Sequence, residues 1–410
     1  MKSNSHFLHV ILSSCLCFCV AVSSGFAAEA NFPNATAKLQ SSKPLRIVCF
    51  GDSVTGVYYH TGSRRAYTDM VGIALKKFYP ESQLTMINAG ISGHTTVNAL
   101  ARIDRDVLKH TPTLVTVMFG LNDMTRVPLK TYEANLITII QKCRNVGSEV
   151  LLCTPNNVIS TAGRPSEVLI KYCDVVRKVA REKNVPLCDC YQQMDLLRKK
   201  NEQDWRFLLS DEIHPNMSGH QTMAQMIAKS ITGKSVSLED IGPPLPVLLR
   251  TRSLLQSNKP IKIIAMPPMD KIIRQAFQKV APNAKLEIIT WPVQGKSLKQ
   301  IHADSKNVVR PQKPDLVLIA LPPTAMKGTT TENFLDYSWT MNYSLNFGKP
   351  TWDCVIVHPT VFTPAYADAK QNDFVRKVVR AQDLSLIDRN KNQKQSAQEI
   401  VTDWLKKQLN

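Results

Sequence analysis

Leu45-Arg46-Ile47-Val48-Cys49-Phe50-Gly51-Asp52-Ser53-Val54-Thr55 is the stretch on which the fold turns. Ile47 to Phe50 is a continuous apolar run of strand formers, as in a parallel strand covered by helices on both faces. Gly51 permits a sharp exit, and Asp52 and Ser53 after it suit a turn or a helix N-cap. Ser53 then stands at the carboxyl end of a strand, where open α/β sheets bind ligands. A hydroxyl there is compatible with simple capping and with chemistry. The rest of the chain has to decide between them.

Working outward, the apolar pattern predicts strands over 84–88, 114–119, 150–153 and 186–190. Helices are expected over 67–79, 96–108, 131–145, 166–183 and 218–231, with a polar lead at 31–43 and a loop at 56–65. Strands alternating with helices at this spacing imply a parallel sheet with helices on both faces. With 410 residues, two domains are expected. Gly242-Pro243-Pro244-Leu245-Pro246 reads as an interdomain linker, and the chain beyond it repeats the first half. Lys43 to Phe50 aligns with Lys259 to Met266, and Pro80 to Met124 aligns without a gap with Pro282 to Met326. Two copies do not make a solenoid. They make two related α/β domains in tandem, at 44–233 and 259–410, joined by 234–258.

Residues 1–30 stand apart. An apolar run from Val10 to Val22 follows Lys2, and Ala27, Ala28 and Ala30 come after it. That layout is a cleavable signal peptide, so a secreted or periplasmic protein with no membrane span in its mature chain is expected. The net charge of +18 is scattered, without a basic run. It suits anionic surroundings such as an acidic polysaccharide, and specific nucleic-acid binding would need a clustered basic face. Cys49, Cys143, Cys153, Cys173, Cys188, Cys190 and Cys354 are an odd set with no Cys-x-x-Cys and no Cys/His zinc spacing. Cys188 and Cys190 are expected on one strand face. No metal or cofactor is expected.

Polar residues opening the loops after different strands can converge at one sheet edge. Ser53 follows the first strand, Gly90 the second and Asn122 the third, while Asp211 and His214 precede the last helix of the first half. Acyl transfer needs a nucleophile, a base, a group that orients the base, and donors for an oxyanion. Ser53 supplies a hydroxyl at an expected helix N-terminus. His214 can accept its proton, and Asp211 can fold back onto the other ring nitrogen. The backbone N–H groups of Ser53 and Gly90 and the Asn122 amide would form the oxyanion hole. Tyr58, Tyr59, His60, Arg64 and Arg65, in the loop after Ser53, are candidates to line a sugar or acyl pocket. They are equally compatible with a solvated loop and packing tyrosines. Asn34, Asn216 and Asn342 open glycosylation sequons, which matter only in a eukaryote.

Gly51-Asp52-Ser53, Gly90, Gly120-Leu121-Asn122-Asp123 and Asp211-Glu212-Ile213-His214-Pro215-Asn216 resemble, in order and spacing, the blocks of the SGNH hydrolases, the GDSL esterase/lipase superfamily. The resemblance covers roughly residues 44–232. It implies a flavodoxin-like three-layer α/β/α fold and metal-free ester hydrolysis through an acyl-enzyme, with Ser53, Asp211 and His214 catalytic and Ser53, Gly90 and Asn122 holding the oxyanion. The second copy has Pro267-Pro268-Met269 at the Gly51-Asp52-Ser53 place, Pro292 at Gly90 and Thr324 at Asn122, so it is expected to be a degenerate, non-catalytic domain. Together these features suggest an esterase removing acetyl or other short acyl groups from a carbohydrate. The alternatives are a lysophospholipase or thioesterase acting on longer chains, and a non-catalytic polysaccharide-binding protein.

Overall fold

A parallel strand buried on both faces must exchange all its hydrogen bonds with neighbours and all its side chains with helices. The computed structural model describes residues 32–41, 43–365, 369–390 and 394–409, and it builds two such sheets. The signal peptide expected over 1–30 lies outside the described residues. The first unit runs α1 (Pro33–Gln40), β1 (Leu45–Gly51), α2 (Tyr67–Phe78), β2 (Leu84–Gly90), α3 (Thr96–Asp106), β3 (Leu114–Met118), α4 (Leu129–Asn145) and β4 (Glu149–Cys153). It continues with α5 (Ser166–Glu182), β5 (Leu187–Cys188), α6 (Cys190–Lys200), α7 (Glu202–Arg206) and α8 (Met217–Thr232). Its sheet is wholly parallel in the order β2-β1-β3-β4-β5. Ile47, Val48, Cys49 and Phe50 are all fully buried, as the apolar run requires.

The second unit runs α9 (Leu249–Gln256), β6 (Ile261–Ala265), α10 (Met269–Val280), β7 (Leu286–Thr290), α11 (Leu298–Val308) and β8 (Leu316–Ile319). It ends with α12 (Thr331–Tyr343), β9 (Asp353–Val357), α13 (Ala369–Ala381), β10 (Ser385–Ile387) and α14 (Ala397–Leu409). Its strand order, β7-β6-β8-β9-β10, repeats the first. The pairing registers repeat too. Leu45 opposes Leu84 and Ile47 opposes Leu114, while Ile261 opposes Leu286 and Ile263 opposes Leu316. These are the pairs that the sequence alignment equates.

Several elements differ from the pattern-based expectation. The polar lead holds α1, whose Asn34 and Ala35 N–H groups donate to the Glu149 carboxylate. The linker holds α9, whose Arg250 and Thr251 N–H groups donate to Asp353 in the same way. In both, a carboxylate from the start of a strand caps a helix that precedes the sheet and complements its dipole. Pro186–Cys190 is not a five-residue strand. Leu187 and Cys188 pair with β4, and Asp189 then caps α6 by accepting from the Gln192 N–H. Cys190 therefore sits in a helix, not on the strand face of Cys188. The sulfurs lie 3.6 Å apart, and all seven described cysteines are free and buried. Asn216 and Asn342 are fully buried, which removes both as glycosylation sites. Among the described residues no helix is long and apolar enough to cross a membrane.

Candidate active site

The turn after β1 is built from backbone. The Thr55 and Gly56 N–H groups both donate to the Asp52 carbonyl, and the Val54 N–H donates to Asp52 Oδ1 at 3.0 Å. Ser53 therefore rides on a tight turn and not at a helix N-terminus, since α2 begins only at Tyr67. The turn passes so close to β2 that a Cβ on Gly90 would lie 2.2 Å from the Gly56 nitrogen and 2.6 Å from the Thr55 carbonyl carbon. Gly90→Ala must push the Ser53 turn aside. A displacement of about 1 Å at a reacting group costs on the order of 100-fold in rate. A loss of that size in kcat, with KM little changed, is the expected result in steady-state assays.

Asp211 and His214 come from a second tight loop. Leu209 and Pro215 form an antiparallel bridge, and the Ser210 N–H donates to the His214 carbonyl at 2.8 Å. Asp211 Oδ1 accepts the backbone N–H groups of Ile213 and His214 at 2.8 and 2.7 Å, and Oδ2 lies 2.8 Å from His214 Nδ1. On the other side of the ring, Nε2 lies 3.0 Å from Ser53 Oγ. Burial pushes the Asp211 carboxyl up, but the hydrogen bonds and charge of His214 outweigh it and hold the group well below the usual carboxylate range. Asp211 is thus held in its ionised form near neutral pH. It fixes the proton of His214 on Nδ1 and leaves Nε2 free to accept one.

The third side is the loop after β3. Asn122 is buried, and its Nδ2 donates to the His94 carbonyl at 3.1 Å and to Asp52 Oδ2 at 3.3 Å. The Gly90 N–H donates to Asn88 Oδ1 at 2.9 Å. Two of the three donors expected for an oxyanion, the Gly90 N–H and the Asn122 amide, are therefore engaged, and an arriving oxyanion would have to displace the acceptors they now hold. Burial pushes the Asp52 carboxyl up to about 6, against the Val54 N–H and the His214 charge, which lower it. Asp123 braces this loop by accepting from the Thr96 N–H and hydroxyl at the start of α3.

The loop from Gly56 to Arg65 departs furthest from expectation. Arg64 donates from Nη1 to the carbonyls of Pro244 and Pro246. Arg65 forms a bidentate pair with Asp383 at 2.6 and 2.7 Å and also reaches the Gly242 carbonyl. Arg64 is tied to the linker and Arg65 to both the linker and the second unit, so neither is free to pair with a substrate. Tyr58 accepts the Ser92 N–H on its hydroxyl and packs its ring on Phe347, while Tyr59 packs on Phe347, Trp339 and His60. The tyrosines remain beside the site as part of an aromatic contact with the second unit.

Other residues at the site carried no sequence signal. Arg102 is buried and clamps the ends of both strands, donating to the Gly51 and Ala89 carbonyls at 2.9 and 2.8 Å. Arg164 donates from Nη2 to Asn122 Oδ1 at 3.3 Å and so helps to orient that amide. Among the described residues, His60, Asp211 and His214 bring possible metal-binding atoms within 4.8 Å of one another. The two rings are stacked at an interplanar angle of 17°, however, so their in-plane lone pairs run side by side instead of converging on one ion.

A nucleophilic hydroxyl, an imidazole and a carboxylate in one hydrogen-bonded line are the parts of serine acyl transfer. The comparisons agree with that chemistry. The model of the GDSL-like Lipase/Acylhydrolase family matches residues 49–222. An acetylxylan esterase of Geobacillus stearothermophilus is 28% identical over 174 residues, covering 40% of this chain and 78% of that protein. An arylesterase of Vibrio mimicus is 26% identical over 197 residues, covering 48% and 92%. The thioesterase 1/protease 1/lysophospholipase L1 of Escherichia coli (strain K12) is 30% identical over 153 residues, covering 37% and 69%. With that family's match spanning the unit that holds Ser53, Asp211 and His214, the chain belongs to the GDSL-like lipase/acylhydrolase family and is a carboxylic ester hydrolase.

Proposed function

We propose that the protein is an exported serine esterase that removes acetyl or other short acyl groups from a carbohydrate through an acyl-enzyme on Ser53. The observation that carries the mechanism is the unbroken line Ser53 Oγ, His214 Nε2, His214 Nδ1, Asp211 Oδ2, with contacts of 3.0 and 2.8 Å. In this scheme Ser53 Oγ attacks the ester carbonyl carbon and its proton passes to His214 Nε2. The resulting oxyanion draws on the N–H groups of Ser53 and Gly90 and on the Asn122 amide. The imidazolium gives the proton to the sugar oxygen as its bond to the acyl carbon breaks, releasing the sugar hydroxyl and leaving the acyl group on Ser53. Water then repeats the sequence and releases the carboxylic acid. His60 and His220 stay out of the proton traffic. Burial, followed by the charge of His214, depresses both, His220 to about 3.

The acetyl and carbohydrate reading is supported by the similarity to an acetylxylan esterase and by the net charge of +18, which favours an anionic polymer. Similarity to a thioesterase and lysophospholipase supports a second reading, with longer acyl chains. An acyl-length series on chromogenic esters separates the two. The expected maximum is at acetyl, and a maximum at about eight carbons or more overturns the short-acyl reading.

The second unit reads as a degenerate copy without chemistry. Pro267 and Pro268 occupy the nucleophile turn, and Pro292 offers no N–H at the place of Gly90.

A further inference from the structure

Between the two units lies a buried polar chain that ends on the base. The His60 ring stacks on the His214 ring with centroids 4.1 Å apart. Tyr59 covers its side at 4.0 Å, and Trp339 of α12 meets it edge-on at 6.4 Å. His60 Nδ1 lies 3.1 Å from Ser210 Oγ, and Asn342, in the last turn of α12, donates from Nδ2 to the same oxygen at 2.8 Å. Ser210 and Asn342 are fully buried and His60 is nearly so. His60 Nε2 lies 3.8 Å from Asp211 Oδ2, too long for a hydrogen bond but close enough for a charge–dipole contact.

The direction of this chain is set at both ends. The Asp211 carboxylate facing Nε2 favours the His60 ring proton there, so Nδ1 accepts from the Ser210 hydroxyl, whose oxygen keeps its lone pairs for the Asn342 amide. The reverse amide orientation would place a proton on His60 Nδ1 and aim the Nε2 lone pair at a negative charge. Asn342 Oδ1 accepts no hydrogen bond among the described residues, so the amide's recorded contact is the one its nitrogen makes. Burial keeps His60 neutral, and a neutral ring can lie flat on His214 when the latter becomes imidazolium, whereas a charged one would oppose it.

We propose that His60 is a positioning residue for His214, and that Asn342 of the second unit, acting through Ser210, fixes its tautomer and place. This rests on the serine-esterase reading and gives the second unit a task in the reaction without chemistry of its own. The other ionisable groups facing His214 are Asp211, Asp52 and His220.

The test is a double-mutant cycle on the full chain, with His60→Phe, Asn342→Ala and the pair, assayed on a chromogenic acetyl ester. His60→Phe keeps a stacked ring and is expected to lower kcat about tenfold with KM within about twofold. Asn342→Ala is expected to lower kcat similarly, and to do little more in the His60→Phe background. The downfield proton resonance of the His214–Asp211 hydrogen bond should move in both single variants. An Asn342→Ala loss that persists in full in the His60→Phe background overturns the proposal, since Asn342 would then act without His60. So does wild-type kcat in His60→Phe. Ser53→Ala in parallel tests the underlying reading separately, because activity surviving there would remove the serine mechanism whatever the cycle showed.

Discussion

Ser53→Ala is expected to reduce kcat on a chromogenic acetyl ester by at least about 10⁴-fold, leaving only what binding and the oxyanion donors supply. The variant should fold as the wild type does. Ser53 is only partly buried, and its Oγ makes one side-chain contact among the described residues, with His214. Loss of a single part-exposed hydrogen bond costs about 1 kcal/mol at most. The informative measurement is therefore kcat together with the melting temperature, and a large loss in the first with almost none in the second assigns the hydroxyl to chemistry. Activity that survives the substitution would remove the acyl-enzyme altogether.

Arg65→Met should produce the largest stability effect. The Arg65–Asp383 pair is bidentate, with the Asp383 side chain buried and that of Arg65 mostly so, at 3% and 11% exposure. Removing one partner of a buried pair costs about 3–5 kcal/mol, because the remaining charge is stranded. Among the described residues Asp383 would be left with no partner of opposite charge at hydrogen-bond distance, and the Gly242 carbonyl would lose its donor. The expected result in urea is a midpoint well below that of the wild type, with the unfolding curve resolving into two steps as the units lose their tie. Arg65→Met combined with Asp383→Leu should recover part of the loss, as replacing both partners of a buried pair often does. A midpoint that does not move in Arg65→Met would show that the interface is held elsewhere.

The strands and the loop that joins Asp211 to His214 were legible in the sequence because each is encoded locally. Ile47 to Phe50 is apolar throughout because both of its faces are covered, and the Asp211–His214 contact closes within a single short loop. What was not legible depends on distant partners. The helix α1 has no local cap and is held by Glu149, more than a hundred residues away, while α9 waits for Asp353 in the same manner. Arg64 and Arg65 read as pocket residues because arginines in a loop beside a nucleophile usually face solvent. Their true partners, Pro244, Gly242 and Asp383, are brought in only by the docking of the second unit. The repeat also runs further than the residues that first revealed it. Arg177 binds Asp189 and Asp174 in the first unit just as Arg376 binds Asp388 and Asp373 in the second. Asp174 to Asp189 also aligns without a gap with Asp373 to Asp388, where Val176, Lys178, Val179 and Arg181 meet Val375, Lys377, Val378 and Arg380.

The two sheets share their register, yet they end differently. Pairing of β1 with β2 continues to Gly51 and Gly90, whereas β6 and β7 part at Ala265 and Thr290, two residue pairs earlier in the shared frame. Those two extra pairs bring the nucleophile turn against a glycine backbone at a distance no side chain would tolerate. The catalytic capacity of this fold is therefore not portable by side chains. Grafting a serine, an asparagine and a histidine onto the second unit would furnish the reagents and still lack the close approach of main chains that aims them. A redesign would have to begin by lengthening two strands and removing Pro267, Pro268 and Pro292.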